Sequence, residues 1–272
     1  MALAPALKGR AGFVRLLMRL TGVDKVNSLY DRCLPLEGAD FSAALLKDVG
    51  IDYLVSGFEH LAALAEGPFI TVSNHPYGHL DGMMLIDLVG HVRPGFKLMV
   101  NQVLAHIRAL GINFIEVDPV GSERVAATGK SVGGVRAALT TLREGEPLGL
   151  FPSGAVSDLS VRDGFRIRDR EWQVAAVKLI GKASVPVLPI RFFDRNSLFY
   201  YSLGLMDYRI RLTRLCHEVF NKKGRTVRLG IGPVIHPEEF GNMSLEELSD
   251  FLRSKVYSMQ PAGEFIPRSS LI

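Results

Sequence analysis

The chain has few of the features that would place it in a secreted or membrane-spanning class. Its 272 residues include two cysteines, Cys33 and Cys216, too few for a disulfide framework and typical of a reducing compartment. No apolar run approaches the roughly 20 residues of a spanning helix. The N-terminus has no apolar stretch ending in a small-residue cleavage site, so we predict no signal peptide. We find no repeat, low-complexity segment or Pro/Gly/Ser-rich linker.

The composition is that of a globular protein with a sizeable core. The chain is 47% hydrophobic and 22% charged, and its length suits one large domain or two small ones. The formal charge is +4 and the pI about 9.1. This mild basicity fits an anionic partner, which could be a membrane surface, a nucleotide or a nucleic acid.

The N-terminal segment contains an amphipathic pattern. Residues 11–20 are predicted to be helical, with Phe13, Leu16, Leu17 and Leu20 on one face and Lys8, Arg15 and Arg19 roughly opposite. Such a helix can lie in a lipid interface or pack its apolar face on the domain, and the pattern leaves both open. We expect residues 1–60 to form a helical cap on an α/β domain over residues 61–272.

From residue 68 onward, short apolar strands alternate with helices. The predicted strands are PFITVS, FKLMV, INFIEV, PLGLF, SVPVLPI and TVRLGIG. Between or after them lie the predicted helices LDGMMLIDLV, NQVLAHIRAL, VGGVRAALTTLR, EWQVAAVKLIGK and SLEELSDFLRSKVYSM. Crossover units of this kind predict an α/β fold with a largely parallel central sheet flanked by helices.

A histidine and an aspartate lie where the first of these strands gives way to a helix. His75 follows FITVSN, and Asp81 falls at the expected helix start, where a carboxylate also suits the helix dipole. A carboxylate that orients a histidine at a strand end is typical of general-base catalysis. Two other interpretations compete: a helix cap beside a loop histidine, and a metal site that includes His79, although the intervening PYG opposes the helical spacing that a His pair needs.

Three later stretches extend this pattern: GINFIEVDP, GLFPSGAVS and VPVLPI. Together with the His75 segment they resemble, in order over residues 69–190, the four blocks of the lysophospholipid acyltransferase superfamily of glycerol-phosphate acyltransferase type. Those blocks are NH…D, G-x-x-F-I, F-P-E-G-T and V-P-V-x-P. The resemblance implies the fold predicted above and a metal-free acyl transfer.

The spacing resembles one bacterial branch in particular. Five residues, PYGHL, separate His75 from Asp81, as in the hemolysin-like branch with NHPxGGxDG and FPAGEVS blocks, which is linked to ornithine and glycine lipids. IRDREW, FFDRNSLFY and RLTRLCHEVFNKKG also resemble that branch. The resemblance implies transfer of a fatty acyl group from acyl carrier protein or coenzyme A to a lysolipid hydroxyl. It further implies a peripheral enzyme on an anionic membrane surface, at the cytoplasmic face of the bacterial inner membrane.

The same resemblance implies the roles of individual residues. His75 is the expected general base and Asp81 its orienting carboxylate, with no metal, no other cofactor and no nucleic acid involved. The expected substrate-binding residues are Asn74, Gly82, Asn101, Phe151, Pro152, Ser153, Gly154, Ser157, Arg166 and Arg168.

The chain departs from the family pattern at several positions. His79 replaces a glycine of the branch, and Ser153 and Ala155 stand where acids are usual. Val117 and Val156 stand where glycerol-phosphate enzymes carry arginine, which favours a lyso-amino-acid lipid over lysophosphatidic acid as acceptor. The arginines at 162, 166, 168 and 170 could replace those charges or belong to a solvated loop. A non-catalytic lipid-binding protein and a His/Asp metallohydrolase remain alternatives.

Overall fold

The computed structural model describes residues 11–117, 129–161, 164–261 and 263–272. Arg162, one of the loop arginines, lies outside this range, as does Lys8. The helices are α1 (Ala11–Thr21), α2 (Val23–Cys33), α3 (Gly38–Val49), α4 (Phe58–Ala62), α5 (His79–Val92), α6 (Gly129–Arg143), α7 (Val174–Ala183), α8 (Leu198–Met206), α9 (Tyr208–Thr213), α10 (Leu215–Phe220) and α11 (Leu245–Ser258).

The strands form one large sheet and one small ribbon. They are β1 (Leu54–Ser56), β2 (Ile70–Ser73), β3 (Lys97–Asn101), β4 (Phe114–Val117), β5 (Leu148–Leu150), β6 (Asp158–Ser160), β7 (Arg166–Arg168), β8 (Val187–Phe192), β9 (Arg228–Ile231) and β10 (Ile266–Pro267). The sheet order is β10-β1-β9-β8-β2-β5-β3-β4, and β6 pairs with β7 alone. Four 3-10 helices, Gln102–His106, Arg108–Asn113, Pro237–Glu239 and Arg268–Ser270, complete the described elements.

The central strands are parallel, as predicted. β8, β2, β5, β3 and β4 run in one direction, whereas β9 is antiparallel to β8. Every residue of β2 is buried, because helices cover both faces of the sheet. The α/β prediction is therefore confirmed.

Two hydrophobic cores lie on opposite faces of the sheet. One contains residues of α2, α3 and α5, and the other contains residues of α6, α7 and α11. The alternation of strand side chains supplies both cores: Leu188 and Ile190 of β8 enter the first, whereas Val187 enters the second. The strands that lead into the site, β2 and β5, are buried within the sheet and contribute to the second core Ile70, Val72, Leu148 and Leu150.

One predicted helix is wrong, and another has an unexpected environment. The segment NQVLAHIRAL forms two 3-10 helices because Ile107 between them takes φ −85° and ψ 78°, outside the helical region. The predicted N-terminal helix is α1, but its apolar face does not pack on the described domain: Phe13, Leu16, Leu17 and Leu20 are 54%, 52%, 43% and 65% exposed.

Candidate active site

The site begins in the loop between β2 and α5. His75 leaves the carboxyl end of β2, and Asp81 lies in the first turn of α5. Nδ1 of His75 lies 2.9 Å from Oδ2 of Asp81. The ring nitrogen makes no well-aligned hydrogen bond, as is common in substrate-free active sites. The structure therefore brings together the two residues predicted to be catalytic.

Asp81 also caps the helix that carries it. Its Oδ2 accepts the backbone N–H groups of Tyr77 and Gly78 at 2.8 Å and 2.9 Å, which satisfies donors that the helix start leaves free. The capping interpretation and the orienting interpretation are thus compatible, because one oxygen meets both the loop amides and the histidine. The caps fix the carboxylate before any substrate arrives.

Gly78 makes this loop possible. Its φ of 80° is in the region that glycine alone adopts easily. A Cβ at this position would also meet Val156 at 3.1 Å and Leu215 at 3.2 Å. The chain therefore turns at Gly78 tightly enough to bring His75 back over Asp81.

The surroundings of Asp81 are electrostatically unusual. Its side chain is fully buried, and burial raises the pKa of the carboxyl, an effect opposed by His75 and the two loop amides. Among the described residues, His75 is the one group of potential positive charge within ion-pair distance of Asp81. Asp81 is therefore a buried carboxylate whose partners at short distance are the His75 ring and two backbone amides.

Phe151 fixes the plane of the histidine. Its ring stacks on that of His75 with centroids 3.9 Å apart and planes inclined by 28°. Phe151 follows β5 directly, next to β2 in the sheet. The imidazole is thus held between a carboxylate at its Nδ1 edge and a phenyl ring on its face.

An apolar cavity of about 500 Å³ opens beside His75, within the range typical of ligand sites. Its wall is built mainly from aliphatic and aromatic side chains, including Met83, Ile86, Leu98, Leu110, Phe114 and Leu179. Val117 and Val156, at the two positions where the resemblance implies arginine in glycerol-phosphate enzymes, also line it. The cavity can hold an alkyl chain and offers no cation at those two positions.

The other predicted substrate-binding residues divide into two groups. Gly82, Asn101, Phe151 and Gly154 line the cavity with His75. The other predicted residues do not line the cavity. Asn74 joins β2 to β8 through two hydrogen bonds with the backbone of Phe192, and the Pro152 carbonyl accepts the N–H of Gln173. The Ser153 hydroxyl donates to Ala155 O, and the Ser157 hydroxyl donates to Asp169. Arg166 and Arg168 are exposed on β7.

The sequence interpretation missed Asp169. Its Oδ1 accepts the backbone N–H of His75 at 3.1 Å and the hydroxyl of Ser157, while Ser157 N–H donates to His75 O at 2.9 Å. Burial raises the pKa of Asp169 to about 6. The run around it, RDGFRIRDREW, has four arginines and three acids, and this pattern is equally typical of a solvated loop, so it did not single out Asp169.

A second, polar cavity of about 610 Å³ lies next to Asp169. Arg168, Arg170, Arg211 and Arg253 line it together with acidic side chains. Arg211 is fully buried, pairs with Asp158 at 2.6 Å and donates to Ser157 O at 2.9 Å. Of the two predicted arginines, Arg168 therefore borders a polar cavity, and Arg166 borders neither of the two cavities.

The described residues contain no group of three or more His, Cys, Asp and Glu side chains placed to hold a metal ion. The expectation that no metal takes part stays a prediction. Within the same part of the chain, no helix combines the length and apolarity needed to cross a bilayer.

The fold and the site define an α/β enzyme in which a buried carboxylate orients a histidine beside an apolar cavity. A family model described as acyltransferase matches residues 2–264. The chain therefore belongs to this acyltransferase family and is an acyltransferase, and the predicted membership of the lysophospholipid acyltransferase superfamily is confirmed.

Two curated relatives share most of its length. Lyso-glycine lipid O-acyltransferase from Bacteroides thetaiotaomicron is 25% identical over 254 residues, covering 90% of this chain and 89% of the relative. The enzyme of the same description from Phocaeicola vulgatus is also 25% identical over 254 residues, covering 90% and 87%. The crystal structure of 1-acyl-sn-glycerophosphate acyltransferase from Thermotoga maritima aligns with a TM-score of 0.49 and 18% identity, over 89% of this chain and 92% of that one.

Proposed function

We propose that this acyltransferase moves a fatty acyl group from an acyl thioester to the hydroxyl of a lyso-amino-acid lipid of the lyso-glycine type. The observation that carries the proposal is the His75–Asp81 pair beside an apolar cavity in which Val117 and Val156 replace cationic residues. The names of the two curated relatives support the choice of acceptor.

The chemistry follows from the geometry of the pair. Nδ1 of His75 faces Asp81, so Nε2 is the nitrogen left to accept the proton of the acceptor hydroxyl. The resulting oxygen attacks the thioester carbonyl, and the tetrahedral intermediate collapses to the ester and a thiolate. The imidazolium returns its proton to that thiolate. Asp81 stabilises the imidazolium while it exists, and its fixed position avoids reorganisation during the step.

The oxyanion formed during attack needs donors. Gly154, in the third block, lines the cavity, and Ser153 precedes it in the chain. The N–H of Gly154 donates to Phe151 O at 2.9 Å, so it would have to leave that bond to serve the substrate. Any donor from this turn would therefore act after a small rearrangement on substrate binding.

The valines bear on the charge of the acceptor. A phosphate monoester carries up to two charges, and burying them without cationic or N–H partners is costly. An amino-acid carboxylate carries one. Lysophosphatidic acid remains the second candidate because Arg168, Arg170 and Arg253 border the polar cavity next to Asp169 and could bind a phosphate there.

A competition experiment tests the acceptor. Purified enzyme receives one acyl-carrier-protein donor, a lyso-glycine lipid and lysophosphatidic acid, with His75→Ala as the inactive control. We expect the glycine lipid to be acylated with the higher kcat/KM. Preference for lysophosphatidic acid would reject the acceptor but keep the reaction class, and equal product from the His75→Ala protein would reject both. Repeating the assay with acyl-coenzyme A identifies the donor.

The cellular setting is part of the same proposal. We propose that the enzyme works as a peripheral protein at the cytoplasmic face of the inner membrane, where both thioester donors and lysolipids are available. Lipid analysis of a deletion strain should show accumulation of the mono-acylated amino-acid lipid and loss of its di-acylated product. An unchanged lipid profile would contradict this assignment.

A further inference from the structure

The exposed apolar side chains of the protein are concentrated in two segments. Eleven of the twenty-one large apolar side chains that are exposed in the described part of the chain belong to α1, α8 or α9. Within α8 and α9 the most exposed include Leu198 at 64%, Phe199 at 56% and Met206 at 76%. Patches of this kind on a folded protein mark interaction surfaces.

The two segments lie on the same side of the molecule. α10 packs against both α1 and α9, and α8 packs against α9. Nε2 of His217, on α10, is 2.9 Å from the carbonyl oxygen of Leu20 on α1. The exposed faces of α1 and of α8–α9 therefore flank one short helix, and we name the combination the α1/α8–α9 surface.

This surface adjoins the apolar cavity. Tyr208 and Leu212 of α9 line the cavity and are themselves 40% and 39% exposed. On its buried side, α8 reaches the catalytic loop, because the Tyr201 hydroxyl donates to Pro76 O at 2.7 Å. A lipid acceptor leaving a bilayer at this surface could enter the cavity with little exposure of its chain to water.

The charges around the surface are mostly positive. Arg15 and Arg19 are exposed on α1, Arg195 before α8, and Arg209 on α9. Asp207 is the one acidic residue within residues 198–213, and its carboxylate is engaged in capping α9 through Arg209 N–H at 2.6 Å. Basic side chains around an apolar patch are complementary to anionic lipid headgroups.

We propose that α8 and α9 form a membrane-docking element that inserts with α1 into an anionic bilayer and places the cavity at the lipid surface. The apolar side chains enter the headgroup–acyl boundary, and the surrounding arginines contact lipid phosphates. The identity of the lipid that passes through this surface rests on the proposed function, whereas the docking itself does not.

Binding to substrate-free vesicles tests the proposal. Vesicles of equal parts phosphatidylglycerol and phosphatidylcholine are titrated against the wild type, a Leu205→Ser/Met206→Ser double variant on α8, and a Leu17→Ser/Leu20→Ser double variant on α1. Each α8 or α1 variant should bind about tenfold or more weakly. The matched control is Leu245→Ser, which changes a 41% exposed leucine on α11, on the other face of the sheet.

The outcomes separate docking from catalysis. Leu205 and Met206 lie outside the cavity wall, so the α8 variant should keep wild-type turnover on detergent-dispersed acceptor and an unchanged circular dichroism spectrum. Wild-type vesicle binding by the α8 variant would overturn the proposal. The proposal would also be overturned if the wild type is a dimer, the α8 variant is a monomer and vesicle binding is unchanged, because a second copy of the chain would then cover this surface. The vesicle-binding results do not depend on which acceptor the enzyme uses.

Discussion

Helix α5 has a histidine close to an aspartate at each of its ends. Near its start, Nδ1 of His75 lies 2.9 Å from Asp81; near its end, Nδ1 of His91 lies 3.2 Å from Asp87. Both aspartates are almost fully buried, with 0% and 1% side-chain exposure. Distance and burial therefore do not distinguish the two pairs.

The other contacts of each pair distinguish them. Arg268 forms an ion pair with Asp87, and Tyr53 donates its hydroxyl to the same carboxylate at 2.9 Å. His91 uses its second nitrogen too, since Nε2 is 3.3 Å from Asp40. His75, in contrast, lines a cavity, and Asp81 has no arginine or lysine at ion-pair distance among the described residues.

A histidine–aspartate pair can thus be chemically available or structurally occupied. The pair that we propose to be catalytic has a histidine that lines a cavity and a carboxylate whose one partner at ion-pair distance, among the described residues, is that histidine. The structural type has every atom engaged, and its carboxylate is already neutralised by a guanidinium. The same helix carries both, so neither the dipole nor the helix environment alone decides which pair can move a proton.

The largest expected effect comes from removing each histidine. His75→Ala should lower kcat by about 10²–10⁴-fold, the usual contribution of a general base, and leave the melting temperature nearly unchanged. His91→Ala should keep kcat within about twofold and lower the free energy of unfolding by about 1 kcal/mol through lost hydrogen bonds. Steady-state kinetics and thermal melts of both variants measure this. Near-normal turnover by His75→Ala would end the mechanism.

Changing each aspartate to asparagine should separate catalysis from stability. In Asp81→Asn the amide oxygen can still accept the loop N–H groups, but the charge that stabilises the imidazolium is lost, so kcat should fall by about 10²–10³-fold. Asp87→Asn leaves Arg268 partly buried without its anion and should cost about 2 kcal/mol of stability, with kcat unchanged. Arg268→Gln should reproduce the stability loss. Equal effects of the two asparagine variants on kcat would contradict the comparison.

Much of this architecture could be predicted from the sequence, because local patterns carry it. β2 is a short apolar run followed by a histidine, a glycine turn and an acid that caps a helix, and each step follows from the residues themselves. The β6–β7 ribbon was missed because each of its strands has three residues, too few to show a repeating pattern. β1 was missed because its partner sets it: Leu54 pairs with Arg228, far along the chain. Asp169 was missed for the same reason as β1, since its contact with His75 spans 94 residues.

Asp169 provides a third and smaller effect, on the pH dependence of stability. Burial raises its pKa from about 3.8 to about 6, so between these pH values the folded state binds more protons than the unfolded state. Its contribution to stability is therefore lost as the pH rises, by on the order of 3 kcal/mol at most. Asp169→Asn should flatten this part of the curve, measured by urea unfolding from pH 4 to 7. An identical pH dependence in the variant would show that Asp169 titrates normally.

His79 should give the smallest effect on catalysis. It lines the cavity beside His75, and burial, with a smaller effect of His75, lowers its pKa to about 4. It is therefore neutral near pH 7 and neither donates charge to the reaction nor receives it from Asp81. His79→Ala should change kcat by no more than about threefold. If His79 shared a metal ion or a proton relay with His75, His79→Ala would instead lower kcat as much as His75→Ala does.

The pH dependence of His79 has the opposite sign to that of Asp169. With a folded-state pKa below the ordinary value of 6.5, the unfolded state binds more protons between about pH 6.5 and 4, so stability is lost as the pH falls. His79→Ala should remove part of this acid sensitivity. One side of His79 borders the cavity, and its solvent exposure is intermediate, so water should make the change smaller than that in Asp169→Asn. If instead His79→Ala becomes more sensitive to acid, His79 is charged in the folded protein and places a second positive charge in the cavity wall that holds His75.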